Sequence, residues 1–162
     1  MLEFHTIIGG IDLLPVIRPL REQLYSDLAK AMPGFASEFT QQRMDKYDAV
    51  LADGNRTKAM QVLLTQSAYG IPVAYCLSII KSDGNAEIDS LFVDEKYRRL
   101  GIAAELTRRA IEWMQSHGTG HISVRVLPVN ATAKALYSKL GFVARSLIMR
   151  LEYSNQIEET SS

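Results

Sequence analysis

The sequence predicts an α/β domain, a mixed and mostly antiparallel sheet flanked by helices. Three observations predict it. Apolar, β-branched-rich runs of strand length, KAMQVLLTQ, IPVAYCLSII and AEIDSLFV, follow one another with turn signals between them. Apolar residues recur at helical spacing on either side of that block. The last run is followed by a helix and a further strand, HISVRV, the pattern of a crossover joining two parallel strands. At 162 residues, 47% apolar and 22% charged, the chain has the size and composition of one soluble domain.

In chain order, EFHTIIG reads as a first short strand. Leu13, Val16, Ile17, Leu20, Leu24 and Leu28 then mark a helix from Ile11 to about Ala31, with Pro15 in its first turn and Pro33-Gly34 as its break. A second, more polar helix is expected over 36–52. The three strands 58–66, 71–80 and 86–93 form an antiparallel meander, turned at 68–70 and at Ser82-Asp83-Gly84-Asn85. A helix over about 99–117, the strand 121–126, a helix over 130–140 and a last strand, SLIMRLEY (146–153), complete one domain, 1–153. The polar stretch 154–162 is expected to fray.

Composition excludes several function classes. Lys+Arg and Asp+Glu balance at 18 each, so no global field favours nucleic acid or an anionic membrane, and neither is expected as a partner. No run approaches the roughly 20 apolar residues of a membrane span. No signal peptide is recognisable, and a cytoplasmic location is expected. The single cysteine, Cys76, lies in an apolar run and is expected as a small core residue. His5, His117 and His121 show no metal-ligand spacing, so no metal is expected.

The stretch EKYRRLGIAAEL (95–106) carries the first functional signal. Glycine at a helix start costs about 1 kcal/mol relative to alanine. A helix N-terminus offers unpaired N–H groups and partial positive charge, and an anion can reach them where no side chain intervenes. Gly101 removes the Cβ, Ala103 and Ala104 keep the turn small, and Arg98 and Arg99 add charge. Taken alone, the turn fits equally well a surface helix start with solvated arginines. The second signal is NATAKALYSKLGF (130–142): Asn130 suits an N-cap, Gly141 a C-terminal stop with Phe142 packing beside it, and Ala133, Leu136, Tyr137 and Leu140 share one face. On that face alone, Tyr137 fits a packing residue.

Together the two segments resemble the GNAT superfamily of acetyl-CoA-dependent N-acetyltransferases. Arg98-Arg99-Leu100-Gly101-Ile102-Ala103 matches its R/Q-x-x-G-x-G/A motif, and Asn130, Ala133, Leu136, Tyr137, Gly141 and Phe142 match its Asn-x-x-Ala-x-x-Leu-Tyr-x-x-x-Gly-Phe segment. The match covers 86–153, and residues 1–60 fit the fold only loosely.

The resemblance implies that the two parallel strands splay to admit acetyl-CoA as cosubstrate, with an amine-bearing acceptor as the second partner. Its pyrophosphate would meet Arg98, Arg99, Leu100, Gly101, Ile102, Ala103 and Ala104, and its pantetheine arm would pair along Leu91-Phe92-Val93. Asn130 would contact the cofactor and Tyr137 would lie near its sulfur. A tyrosine phenol, protonated at neutral pH, suits a general acid for the departing thiolate.

For the base, some family members carry a glutamate at the position of Glu87. Strand parity sets Glu87, Asp89 and Leu91 on one face, making Asp89 a competitor, and a bulge would shift that alternation. Main-chain N–H groups of the same strand would polarise the acyl oxygen. A non-catalytic acyl-CoA-binding module of the same fold is the alternative, and a homodimer through the sheet edge or SLIMRLEY is compatible with either. The sequence does not name the acceptor.

Overall fold

The computed structural model describes residues 3–151. Its elements run β1 (Phe4–Gly9), α1 (Leu14–Ala31), α2 (Gln41–Ala52), β2 (Thr57–Ser67), β3 (Pro72–Lys81), β4 (Ala86–Val93), α3 (Ile102–Ser116), β5 (Ile122–Val124) and α4 (Ala131–Lys139), with short 3-10 turns at Ile11–Leu13, Pro33–Glu38 and Glu95–Tyr97. The five strands form one sheet in the order β1-β2-β3-β4-β5. All neighbours are antiparallel except β4 and β5, which are parallel. The expected mixed sheet, meander and parallel pair are therefore present.

The sheet is buried on both faces. On one, Leu14, Ile17 and Leu20 of α1 and Leu51 of α2 cover Val62, Leu64, Tyr75, Leu77, Ile79 and Phe92. On the other, Leu106, Ala110 and Met114 of α3 cover Leu63, Ala74, Cys76, Ile80 and Ile88. This alternation is what β-branched and aromatic strands with period 2 require. Cys76 is fully buried, as expected, and burial pushes its thiol pKa up to about 12, which leaves it inert.

Four expectations need correction. The second helix begins at Gln41, because Thr40 caps it by accepting the Arg43 N–H at 3.2 Å. The helix after β4 starts at Ile102, not near 99, since Arg99 (φ 66°) and Gly101 (φ 81°) are left-handed and cannot extend a right-handed helix. β5 covers only Ile122–Val124 of the expected 121–126. No strand forms over the described part of SLIMRLEY, residues 146–151; the chain is exposed from 143 to 151, and β5 is too short to template a sixth strand. Residues 152–153 and the tail lie outside the described residues.

Candidate active site

Two irregularities of β4 build the site. The first is a bulge. Ser90 faces Leu77 of β3 and Ile88 faces Ser78, so Asp89 has no opposite residue. Parity therefore changes partway along the strand. Ala86 and Ile88, then Leu91 and Val93, belong to the α3 layer, whereas Phe92 belongs to the α1 layer. Leu91 thus does not share a face with the two carboxylates, which corrects the simple parity reading. Asp89 meets Tyr47 of α2, on the opposite side of the sheet.

The second irregularity is the end of the parallel ladder. β4 and β5 pair only at Ala86–Ile122, Glu87–Ser123 and Ile88–Val124. Beyond Ile88 the edge of β4 has no strand beside it. Asp94 N–H bonds to Val73 C=O on β3 at 2.8 Å, so strand alternation turns the backbone groups of Leu91 and Val93 toward the open side.

This open edge leads to the start of α3. The Arg98 N–H is spent on Glu95 C=O (3.3 Å), but the N–H groups of Gly101, Ile102, Ala103 and Ala104 have no hydrogen-bond partner among the described residues. No heavy atom lies within 4 Å of the position a Cβ on residue 101 would take. With no side chain at 101, that residue places nothing beside those donors, which suits an anion. A hollow of about 230 Å³ adjoins the turn, lined by Phe4, Thr6, Thr65, Leu100–Ile102, Glu105 and Leu106.

The two arginines differ. Arg98 folds back on β4: its Nε donates to Val93 C=O at 2.9 Å and its guanidinium lies 5.6 Å from the Phe92 ring centre. Arg99 is exposed and makes no ion pair among the described residues. Arg98 therefore clips the turn to the strand and occupies one acceptor of the open edge, while Arg99 is free to meet an anion.

The carboxylates differ too. Glu87 is buried and pinned on both oxygens, by Lys81 Nζ on one and by Arg125 Nε at 3.3 Å on the other. Asp89 is half-buried; its Oδ1 accepts from Tyr47 Oη at 2.6 Å and its Oδ2 from Ser90 Oγ at 3.0 Å. Burial raises its pKa above the usual aspartate value despite those two bonds and the charge of Arg21.

Tyr137 is 6% exposed and packs in the α3 layer, with Phe142 edge-on at 5.4 Å. Its hydroxyl has no hydrogen-bond partner among the described residues, and burial raises its pKa, so it is a phenol throughout the neutral range. Asn130 caps α4 by accepting the Ala133 N–H at 3.0 Å, and the stop beyond α4 closes with Phe142 N–H on Tyr137 C=O at 2.9 Å. The sequence reading missed Tyr47. The signal was there: Met44, Tyr47 and Leu51 recur at spacings of three and four, an inward stripe with a hydroxyl in it.

The sequence profile of the acetyltransferase (GNAT) family matches residues 21–142, most of the chain, including β4, the start of α3 and α4. The chain belongs to the GNAT acetyltransferase family. Solved structures share the GNAT fold at low identity. A putative acetyl transferase from Pyrococcus furiosus aligns with TM-score 0.75 and 21% identity, over 93% of this chain and 100% of that one. A GCN5-related N-acetyltransferase from Ralstonia eutropha gives 0.69 and 18%, over 93% and 99%. An aminoglycoside N-acetyltransferase, AAC(6')-Iy in complex with CoA, gives 0.64 and 16%, over 94% and 96%. No curated protein matches. Among the described residues no group of side chains is arranged to hold a metal, and no helix is long and apolar enough to cross a membrane.

Proposed function

We propose that the protein transfers the acetyl group of acetyl-CoA to a primary amine, either of a small molecule or of a peptide or protein. The observation that carries this reading is the continuity of the open β4 edge with the unpaired N–H groups at Gly101–Ala104. Backbone groups for an amide-bearing arm and donors for a phosphate follow one another along the chain, from Leu91 to Ala104.

Acetyl-CoA supplies an acetyl group activated as a thioester. The N–H groups of Gly101–Ala104, helped by Arg99, are the residues that would hold its pyrophosphate. Leu91 and the N–H of Val93 would pair with its amide arm, and the Asn130 amide nitrogen, left over from the helix cap, would add a contact. Main-chain N–H groups beside the bulge would polarise the acyl oxygen. Asp89 is the base: its raised pKa suits it to take a proton from the attacking amine, directly or through a water. Glu87, pinned by two cations, instead anchors Arg125 and Lys81 around the strand entrance. Tyr137 holds at Oη the proton that the departing sulfur requires.

Calorimetric titration with acetyl-CoA, CoA and ATP tests the reading, followed by a free-thiol screen of primary amines. Saturable binding of both CoA compounds but not ATP, with amine-dependent thiol release, is expected. Binding without turnover by any amine would leave a CoA-binding module, and no binding by folded protein would overturn the reading. Leu147, Ile148, Met149 and Leu151 are all exposed, while Arg150 pairs with Glu38 and lies over the Phe35 ring. Exposed apolar runs mark interaction sites, which favours self-association through this segment. A single monomeric species in sedimentation at micromolar concentration would exclude it.

A further inference from the structure

We propose that Tyr47 is the positioning residue for the Asp89 carboxylate, fixing its orientation and favouring its ionised form; this rests on the reading of Asp89 as the base. Three hydroxyls converge in one sense. Tyr75 Oη donates to Ser90 Oγ at 3.1 Å, Ser90 Oγ donates to Asp89 Oδ2 at 3.0 Å, and Tyr47 Oη donates to Asp89 Oδ1 at 2.6 Å. Each oxygen of Asp89 therefore has one donor, and the carboxylate cannot rotate without breaking a bond. Among the described residues, only the Tyr47 bond reaches it from outside β3 and β4. It spans from α2 to the bulge, and its donor stands on the same inward stripe as the buried Met44 and Leu51.

The electrostatic balance around Asp89 gives that bond its weight. Arg21 and Tyr25 face it from α1, Tyr47 from α2, Tyr75 from β3, and Glu87 and Ser90 lie on its own strand. Arg21 is the nearby cation, but it is shared with Asp48, 2.7 Å away. Glu87 opposes the ionisation of Asp89, although Lys81 and Arg125 offset its charge. Burial opposes it as well. The donors that favour the charged form are Tyr47 and Ser90, and the phenol makes the shorter bond.

Tyr47→Phe removes that donor and little else. In protein labelled with ¹³C at the aspartate carboxyl carbons, the Asp89 resonance, assigned from its loss in Asp89→Asn, reports its ionisation directly and needs no acceptor. The Asp89 midpoint is expected to rise by about one pH unit in Tyr47→Phe. Tyr25→Phe, which removes a neighbouring hydroxyl that does not bond to Asp89, is expected to leave the midpoint within a few tenths. An unmoved midpoint in Tyr47→Phe, or an equal rise in both variants, would overturn the inference. If Tyr47→Phe does not fold, Tyr47→Leu removes the same donor, with the same rise expected and no rise counting against the inference. Thiol release by Asp89→Asn is a separate readout. Unchanged turnover there would remove Asp89 as the base while leaving the titration result intact.

Discussion

A methyl group on residue 101 separates two costs that the glycine avoids. Gly101 has φ 81°, where an L side chain is strained by about 1–2 kcal/mol. For a domain of this size, that lowers the melting temperature by about 2–8 °C. The second cost falls on the ligand. On the proposed reading, the methyl would crowd the phosphate at the N–H groups of Gly101–Ala104. Hydrogen bonds to a charged group contribute about 1.5–3 kcal/mol each, so losing one weakens binding about 10- to 100-fold. Gly84 supplies the control. It has φ 85° and equally open space, but it sits in the β3–β4 turn. Gly84→Ala should therefore show the same loss of melting temperature as Gly101→Ala, with CoA affinity unchanged. Calorimetry with CoA and a thermal melt on both variants decide the matter. Equal affinities for CoA in the two folded variants would refute the account of the glycine.

Other outcomes follow from the same geometry. Arg99→Ala should leave stability within about 0.5 kcal/mol and weaken CoA binding in a salt-dependent way, whereas Arg98→Ala should lose about 1–2 kcal/mol of stability with its Val93 and Phe92 contacts; calorimetry and melts distinguish them. Tyr137→Phe should keep CoA affinity within about twofold and depress turnover by about 10²-fold or more, and equal losses of both would count against the acid role. Asp89→Asn should gain stability relative to wild type as pH rises from about 4 to 7. The folded pKa of Asp89 is raised, so its stabilising share is present below the unfolded value near 4 and is lost as pH rises through the folded value. The stability of the Asn variant relative to wild type should thus fall as a melting series is taken down toward pH 4, and a gap independent of pH would contradict the shift.

The strands and the helices after them were legible because each carries its own period. AEIDSLFV is a strand from first residue to last, and Asn130 and Gly141 punctuate α4 where the residue types demand. The site was less legible because it depends on departures from period. A bulge adds a residue without leaving a mark in composition, so strand parity alone sets Leu91 on the face of Asp89, when it belongs to the other. The ion pairs that pin Glu87 join β3, β4 and the end of β5, and no local spacing reports them. Arg98 and Arg99 are adjacent in sequence and alike in type, yet the left-handed turn at Arg99 points one back at the strand and the other outward. SLIMRLEY has the composition of a strand, but a strand also needs a neighbour, and β5 ends too soon to be one.

The bulge and the short β5 act together on a single residue step. The parallel ladder ends at Ile88, and the extra residue is Asp89. With unbroken alternation, Leu91 and Val93 would follow Asp89 into the layer of α1 and α2, beside Tyr47 and Arg21. The extra residue returns both to the apolar layer under α3 while the carboxylate stays on the polar side. The same step frees the strand edge of its partner. The two irregularities together thus set a titratable group with a raised pKa on one layer and an open run of backbone groups on the edge between the layers. Tyr137 closes the arrangement from the α3 side. Asp89 and Tyr137, the base and acid of the proposed reading, lie on opposite layers and so do not bond to each other.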